Sequence, residues 1–154
     1  MPDNIPDFDR SKSLQALDGA DWGEPTFHSH VVTESHRLHR TPLRDFNVAD
    51  LSLMIGQQIG LQYLLPIALE RLSADPLAEG DYYPGDLLAS VLRADSRFLV
   101  ASPALRSEVA RIAELAFSLL PTLDQLDRET TRDALTDARD IFQKAEYFAQ
   151  HGRA

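Results

Sequence analysis

The fold is decided by residues 46–88, which read FNVADLSLMIGQQIGLQYLLPIALERLSADPLAEGDYYPGDLL. The first part of this stretch holds the densest apolar sequence of the chain, with apolar residues at the three- and four-residue spacing of a helix. From Asp75 onward the stretch is acidic and contains two adjacent tyrosines. We interpret it as the core of a small helical domain with a negatively charged rim that carries aromatic side chains.

Single residues indicate where the helices of this core begin and end. Asn47 is predicted to cap a helix, and Asp50 at its third position adds a favourable negative charge. Gly60 is a candidate for the end of that helix. A proline inside a helix costs about 3 kcal/mol, so Pro66 predicts either a kink or a helix that begins near Leu65.

Two further helices are predicted before the core. A short helix is expected over residues 13–17, ended by Gly19. A second begins with Thr26 as its cap and ends before Pro42. Between them lies Trp22, which we expect in a turn, either as a plug over the core or as a contact residue.

The helices after the core are marked by prolines and capping residues. Pro84 suits the first turn of a short helix, and Pro103 begins a clear amphipathic helix. Thr122 with Gln125 forms a capping-box pattern for the last helical region. Residues 127–133 contain no apolar side chain, which indicates a break or an exposed turn.

Strand signals are weak throughout, so the predicted fold is all-α, a single-domain bundle of about six helices. Two prolines and three aspartates leave residues 1–12 little to bury, and we expect a loose acidic N-terminal arm there. Residues 13–154 form the single helical domain in this interpretation.

Composition limits the possible functions. The chain has 154 residues, 44% hydrophobic and 25% charged, as expected for a globular domain, and it has no cysteine. No apolar run is long enough for a membrane span, and the N-terminus lacks the features of a signal peptide, so we expect a cytoplasmic protein. The net charge of −9 argues against nucleic acid as a partner, because phosphate binding needs a basic surface.

The negative charge is concentrated in two segments. Residues 1–26 carry six acidic and two basic residues, net −4, and residues 70–95 carry the same numbers. In the second segment, carboxylates beside tyrosines suit an interface, since charges steer a basic partner and rings supply contact area. The alternative is that both rings pack beneath the loop and the acids are merely exposed. The predicted partner-binding residues are Glu79, Asp81, Tyr82, Tyr83 and Asp86, followed by Asp95.

The sequence gives little support for a catalytic site or a metal site. No phosphate-binding glycine loop, nucleophile elbow or thiol is present, and we predict neither an enzyme nor a cofactor. The acids of the loop lack the repeated spacing of a calcium site. Four histidines, His28, His30, His36 and His39, lie close together in the sequence. His36 and His39 are three residues apart, as metal ligands on one helix face can be, but we favour the interpretation that the four are surface histidines that titrate at mildly acid pH.

A family resemblance adds a specific function to this description. The motif DWGEP, followed by HRLHRTPLRDFNVADLSLMIGQQIGL and PIALERLSADPLAEGDYYPGDLL, resembles bacterial contact-dependent growth inhibition immunity proteins of the CdiI type. The similarity extends over roughly residues 14–93, in order and without large gaps.

The resemblance implies a cytoplasmic protein that binds and neutralises the toxic C-terminal domain of a cognate CdiA-type effector. Such toxins are frequently nucleases and therefore basic, which an acidic inhibitor suits. Neutralisation would occur by stoichiometric occlusion and would need no cofactor. The C-terminal helices remain a rival location for the interface, and an acidic adaptor with a non-toxin partner, or a metal-dependent enzyme, are the alternative functions.

Overall fold

Eight α-helices build the part of the chain that the computed structural model describes, which is residues 8–26 and 28–151. No β-strand occurs in these residues, so the all-α prediction is confirmed. Two of the helices, α1 and α6, have only five residues. Short 3-10 turns lie at Leu43–Asp45 and Leu120–Thr122. The helices are α1 Leu14–Asp18, α2 His30–His39, α3 Val48–Gly56, α4 Leu61–Ala74, α5 Asp86–Leu92, α6 Ser96–Val100, α7 Pro103–Leu119 and α8 Gln125–His151.

Several predicted helix ends are confirmed by their capping bonds. The backbone N–H of Asp50 donates to Asn47 Oδ1 at 2.8 Å, and the N–H of Asn47 donates to Asp50 Oδ2 at 3.0 Å, which is a complete capping box. Helix α1 ends at Gly19 in the left-handed conformation, as predicted. Helix α7 begins at Pro103, after a serine cap.

Two predicted caps are wrong, because a neighbouring side chain makes the bond instead. Ser29 Oγ, and not the Thr26 side chain, accepts a hydrogen bond from the Val32 N–H in the first turn of α2, at 3.2 Å. The helix therefore begins at His30, three residues after the start that a cap at Thr26 predicts. At α8, Asp124 Oδ1 accepts from the N–H of Asp127 at 2.9 Å. The Thr122 hydroxyl instead donates to a carbonyl of the preceding turn.

Pro66 lies inside a helix that begins at Leu61, not near Leu65. The carbonyl that the missing N–H of Pro66 would have reached belongs to Gln62, which is exposed, so solvent can satisfy it. Gly60 precedes this helix with φ +65°, and a Cβ there would lie 2.8 Å from Leu14 side-chain atoms. Gly60 is therefore the N-cap of α4 and does not end α3, whose last residue is Gly56.

Helix α5 occupies the centre of the fold. It packs against α3, α4, α7 and α8, and six of its seven residues are buried, the exception being Ser90. Because α5 is short and surrounded, the segment that leads into it is fixed by the core. That segment is the acidic stretch singled out in the sequence.

The predicted loose arm is attached to the body over residues 8–12, while its first seven residues lie outside the described part. Phe8 makes an edge-to-face contact with Tyr63, with ring centroids 5.2 Å apart. The Arg10 guanidinium forms a two-pronged ion pair with the Glu70 carboxylate. The prediction missed these contacts because both partners lie in α4, far away in sequence.

A cluster around Trp22 corrects the interpretation of the histidines. The indole stacks on the ring of His39 at 3.8 Å and meets the edge of His36 at 5.2 Å. His39 is buried, and its Nε2 lies 2.9 Å from Asp18 Oδ2, so it is not a surface histidine. Burial acts to raise the pKa of Asp18, but hydrogen bonds from His39 and the Ala20 backbone lower it overall. These histidines hold Trp22 against α2.

His28 and His30 are exposed, as the interpretation of surface histidines expected. Within the described residues, no group of three or more histidine or acidic side chains is placed to hold a metal ion. The same residues include no helix long and apolar enough to cross a bilayer.

Candidate partner-binding site

The acidic loop, residues 79–86, is folded around one buried carboxylate. Asp86 is 4% exposed, and its oxygens accept hydrogen bonds from the N–H groups of Gly80 at 2.7 Å and Tyr82 at 3.1 Å. Charge-assisted bonds of this kind are among the stronger hydrogen bonds in proteins. Asp86 was predicted as a contact residue, but the structure places its carboxylate inside the loop, where it fixes the shape of the backbone.

Helix α8 holds the end of the loop. The Thr131 hydroxyl is fully buried and donates to the Pro84 carbonyl at 2.8 Å. Gly85, at φ +90°, donates its N–H to the Leu77 carbonyl at 3.0 Å. Thr131 lies within the segment that lacks apolar residues, yet α8 continues through it without a break. Sequence reasoning missed this residue; the signal was its position four residues before Leu135, on the buried face.

The start of the loop lies directly on α3. A Cβ added to Gly80 would come within 2.9 Å of the Ala49 Cα, a backbone atom that cannot move aside locally. A glycine is therefore needed at this point of close approach. Contacts with α3, α5 and α8 thus fix the loop on three sides.

Three side chains of this loop remain available to a partner. Tyr82 is 79% exposed, and Glu79 and Asp81 are exposed without an ion-pair or hydrogen-bond partner among the described residues. Tyr83 is half-buried beside Arg93. Burial raises the pKa of Tyr83, so its phenol stays protonated. Burial beneath the loop, the alternative considered for both rings, therefore applies in part to Tyr83 and not to Tyr82, which is exposed.

The loop forms one wall of a half-open groove of about 270 Å³. The opposite wall is α2, with Val31 and Glu34, and Tyr82 and Asp81 line the loop side. Small residues make the floor where α3 and α5 meet, and two of their hydroxyls, Ser52 and Ser90, lie 3.0 Å apart. The floor residues are Ala49, Ser52, Gly56, Ala89 and Ser90.

Most carboxylates of the groove already have partners. Glu34 pairs with Arg37 at 2.8 Å, and Asp50 lies 3.7 Å from the same guanidinium. Asp86 is engaged by the loop backbone. This leaves Asp81 as the groove carboxylate with no partner among the residues described.

Asp95 lies apart from this site. It caps α6 by accepting from the N–H of Arg97 at 3.0 Å, and the Arg97 guanidinium also pairs with it. It lines a separate pocket of about 200 Å³ between α6 and α8. The structure therefore does not bring Asp95 together with the other predicted residues around the groove.

Replacing Asp95 with asparagine should lower the melting temperature at neutral pH but have little effect in strong acid. The hydrogen bonds from the Arg97 side chain and backbone lower the pKa of Asp95 from 3.8 to about 2. A lowered carboxyl pKa contributes stability that is complete above the unfolded value and is lost as the pH falls through the folded value. The difference between wild type and Asp95→Asn should thus shrink between pH 4 and pH 2.

Thermal unfolding followed by circular dichroism from pH 7 down to pH 2 measures this difference, with Asp81→Asn as the control. Because Asp81 has no partner among the described residues, its variant should follow the wild type throughout. An Asp95→Asn deficit that stayed constant down to pH 2 would contradict the assignment.

The C-terminal helices offer a second surface with exposed apolar side chains. Leu126 is 74%, Tyr147 57% and Ile141 50% exposed, all three on α8. This helix carries six acidic and four basic residues, net −2 over its 27 residues. Its negative charge is less concentrated than that of the acidic loop, which has three acidic and no basic residues in eight.

Comparison with known proteins assigns a family to most of this architecture. A family model described as CDI immunity proteins, where CDI stands for contact-dependent growth inhibition, matches residues 16–109. This range covers more than half of the chain and contains both walls of the groove, whereas α8 lies outside it. No curated protein and no solved structure matches the chain.

Proposed function

The chain belongs to the family of contact-dependent growth inhibition immunity proteins, and on this premise we propose that it neutralises the toxic C-terminal domain of a cognate CdiA-type effector by stoichiometric occlusion. The family match carries the proposal. The protein would act without catalysis and without a cofactor, in the cytoplasm of the cell that makes it.

The acidic loop is the proposed contact surface. Tyr82 offers an exposed aromatic ring, and Glu79 and Asp81 in the same loop offer carboxylates that no other described residue pairs with. An exposed ring surrounded by charges has the composition of an interface centre with a polar rim. Tyr83 would contribute the edge of its ring, while Asp86 would act indirectly by holding the loop in shape.

The proposed partner is basic, and a nuclease fits best. A nuclease needs lysine and arginine to bind phosphate, and a protein of net charge −9 is electrostatically complementary to such a surface. Complementary charges accelerate encounter and exclude competing partners. Covering that surface would keep nucleic acid away from the toxin without any reaction by the immunity protein.

Co-expression with the C-terminal toxin domain of the cognate CdiA-type effector tests the function. We expect the wild-type protein to restore growth and to co-purify with the toxin domain in a fixed ratio. Leu126→Ala, on the exposed face of α8, should protect equally well if the acidic loop is the interface. If the wild-type protein neither rescues growth nor co-purifies with the toxin domain, the proposed function is refuted.

A further inference from the structure

We infer that the groove between the acidic loop and α2 receives one arginine side chain from a basic segment of the toxin domain. This inference rests on the proposed function and specifies how the partner is recognised at that site. The binding site then has two walls, the acidic loop and α2, and not the acidic loop alone.

The groove walls suit the long apolar stem of an arginine. Val31 on α2, 37% exposed, and Tyr82 of the acidic loop, 79% exposed, both line the groove. Leu53, half-buried on α3, also lines the groove and adds apolar surface to it. Arginine commonly lays its methylene groups along apolar surface while its charged head reaches a polar end.

The groove lining carries four carboxylates against two basic side chains, His30 and Arg93, so its charge balance suits a guanidinium. Asp81 is the groove carboxylate that has no partner among the described residues, and it stands next to the exposed ring of Tyr82. A guanidinium can pair with a carboxylate through two parallel hydrogen bonds and stack on an aromatic ring at the same time. Lysine, a compact and strongly hydrated charge, makes poorer use of such a site.

Small residues on the floor give the groove its depth. A Cβ added to Gly56 would meet only the Ser90 hydroxyl, at 3.6 Å, so the space above this glycine is open. A larger side chain at position 56 would fill the groove from below without entering the core. Position 56 therefore allows the groove to be blocked while the loop stays intact.

Two charge-neutralising variants distinguish insertion from general steering. Asp81→Asn and Glu79→Gln remove the same charge from the same loop, but only Asp81 lines the groove. We expect Asp81→Asn to weaken binding to the toxin domain at least about tenfold, mainly by faster dissociation. Glu79→Gln should slow association by less than about threefold. Equal effects on dissociation would overturn the inference.

A matched pair at one position tests the need for open space. Gly56→Leu should weaken binding at least about tenfold, while Gly56→Ala, which adds only an ordinary contact, should change it by less than about twofold. The melting temperatures of both variants confirm that the fold is retained. Wild-type affinity in Gly56→Leu would show that the groove stays empty in the complex.

The identity of the inserted side chain follows from a double-mutant cycle. Each arginine of the toxin domain is replaced by alanine and titrated against wild type and Asp81→Asn. One arginine should show strong coupling to Asp81. Replacing it by alanine should then weaken binding at least about fivefold less in the Asp81→Asn background than in the wild type. The inference is overturned if none of the arginines is coupled to Asp81.

Failure of the inference can be told apart from failure of the proposed function. If the wild-type protein does not bind the toxin domain, both are refuted. If the wild type binds tightly and the paired variants behave alike, the immunity function stands and the groove assignment falls.

Discussion

Replacing Asp86 with alanine should destabilise the protein by about 2–4 kcal/mol and release the acidic loop. The carboxylate is 4% exposed and accepts the N–H groups of Gly80 and Tyr82, which would otherwise be left without partners next to the core. Because the loop carries the proposed contact residues, the variant should also bind the toxin domain at least about tenfold more weakly. Chemical denaturation measures the first effect, and a binding titration measures the second.

Two controls separate the bonds of Asp86 from its charge. Asp86→Asn keeps one acceptor oxygen but brings an amide group towards a backbone donor. It should therefore lose less stability than the Asp86→Ala variant does. Asp81→Ala removes an equal charge from an exposed position that has no partner in the described part of the chain, and it should change stability by less than about 0.5 kcal/mol. If Asp86→Ala unfolds at the same denaturant concentration as Asp81→Ala, the buried carboxylate does not hold the loop.

Gly85→Ala is the second variant with a large expected effect, a loss of about 2–4 kcal/mol. Gly85 has φ +90°, a conformation that side-chain-bearing residues avoid. Its new Cβ would also lie 3.1 Å from Thr131 Cγ2 and 3.4 Å from a Leu77 methyl, both in buried surroundings. We therefore expect the junction between the acidic loop and α5 to move away from α8.

Gly19→Ala is the matched control for this change. Gly19 also has positive φ, at +72°, but a Cβ there would have nothing within 4 Å. Its variant should lose only the backbone contribution, about 1 kcal/mol. The difference between the two unfolding free energies isolates the packing of Gly85 against α8. Equal losses would show that this packing is unimportant.

Local signals predicted the fold correctly where a bond joins residues close in sequence. The capping box of Asn47 and Asp50 spans three residues, and so does the serine cap of α7 at Ser102. Predictions failed where two candidates competed, as Ser29 did with Thr26 at α2. The choice between such caps depends on packing, which a sequence pattern does not contain.

The sequence indicated the acidic loop as a candidate surface, because carboxylates and tyrosines are adjacent there. It did not decide which of the two rings is exposed. It did not show that Asp86 turns inward, since the bonds depend on how residues 80–82 fold back onto α5. Nor did it show the other groove wall, because Val31 lies some fifty residues earlier and reaches the loop only through packing.

His39 failed as a predicted surface residue for a related reason. Its partners, Asp18 and Trp22, lie in a segment whose position depends on the tertiary fold. A histidine in a charged, polar stretch gives no signal that an indole covers it. Thr131 was missed in the same way, since its acceptor, the Pro84 carbonyl, is 47 residues away.

Amide hydrogen exchange, measured on the wild-type protein with and without the effector's C-terminal toxin domain, tests the central claim most directly. The toxin should slow exchange in the acidic loop, residues 79–86, and in the first turns of α2, where the two groove walls meet it. The C-terminal helix α8 should exchange at its free rate. If the toxin slowed exchange nowhere in the protein, the immunity function would be contradicted. If exchange slowed only in α7 and α8, the assignment of the interface would be contradicted.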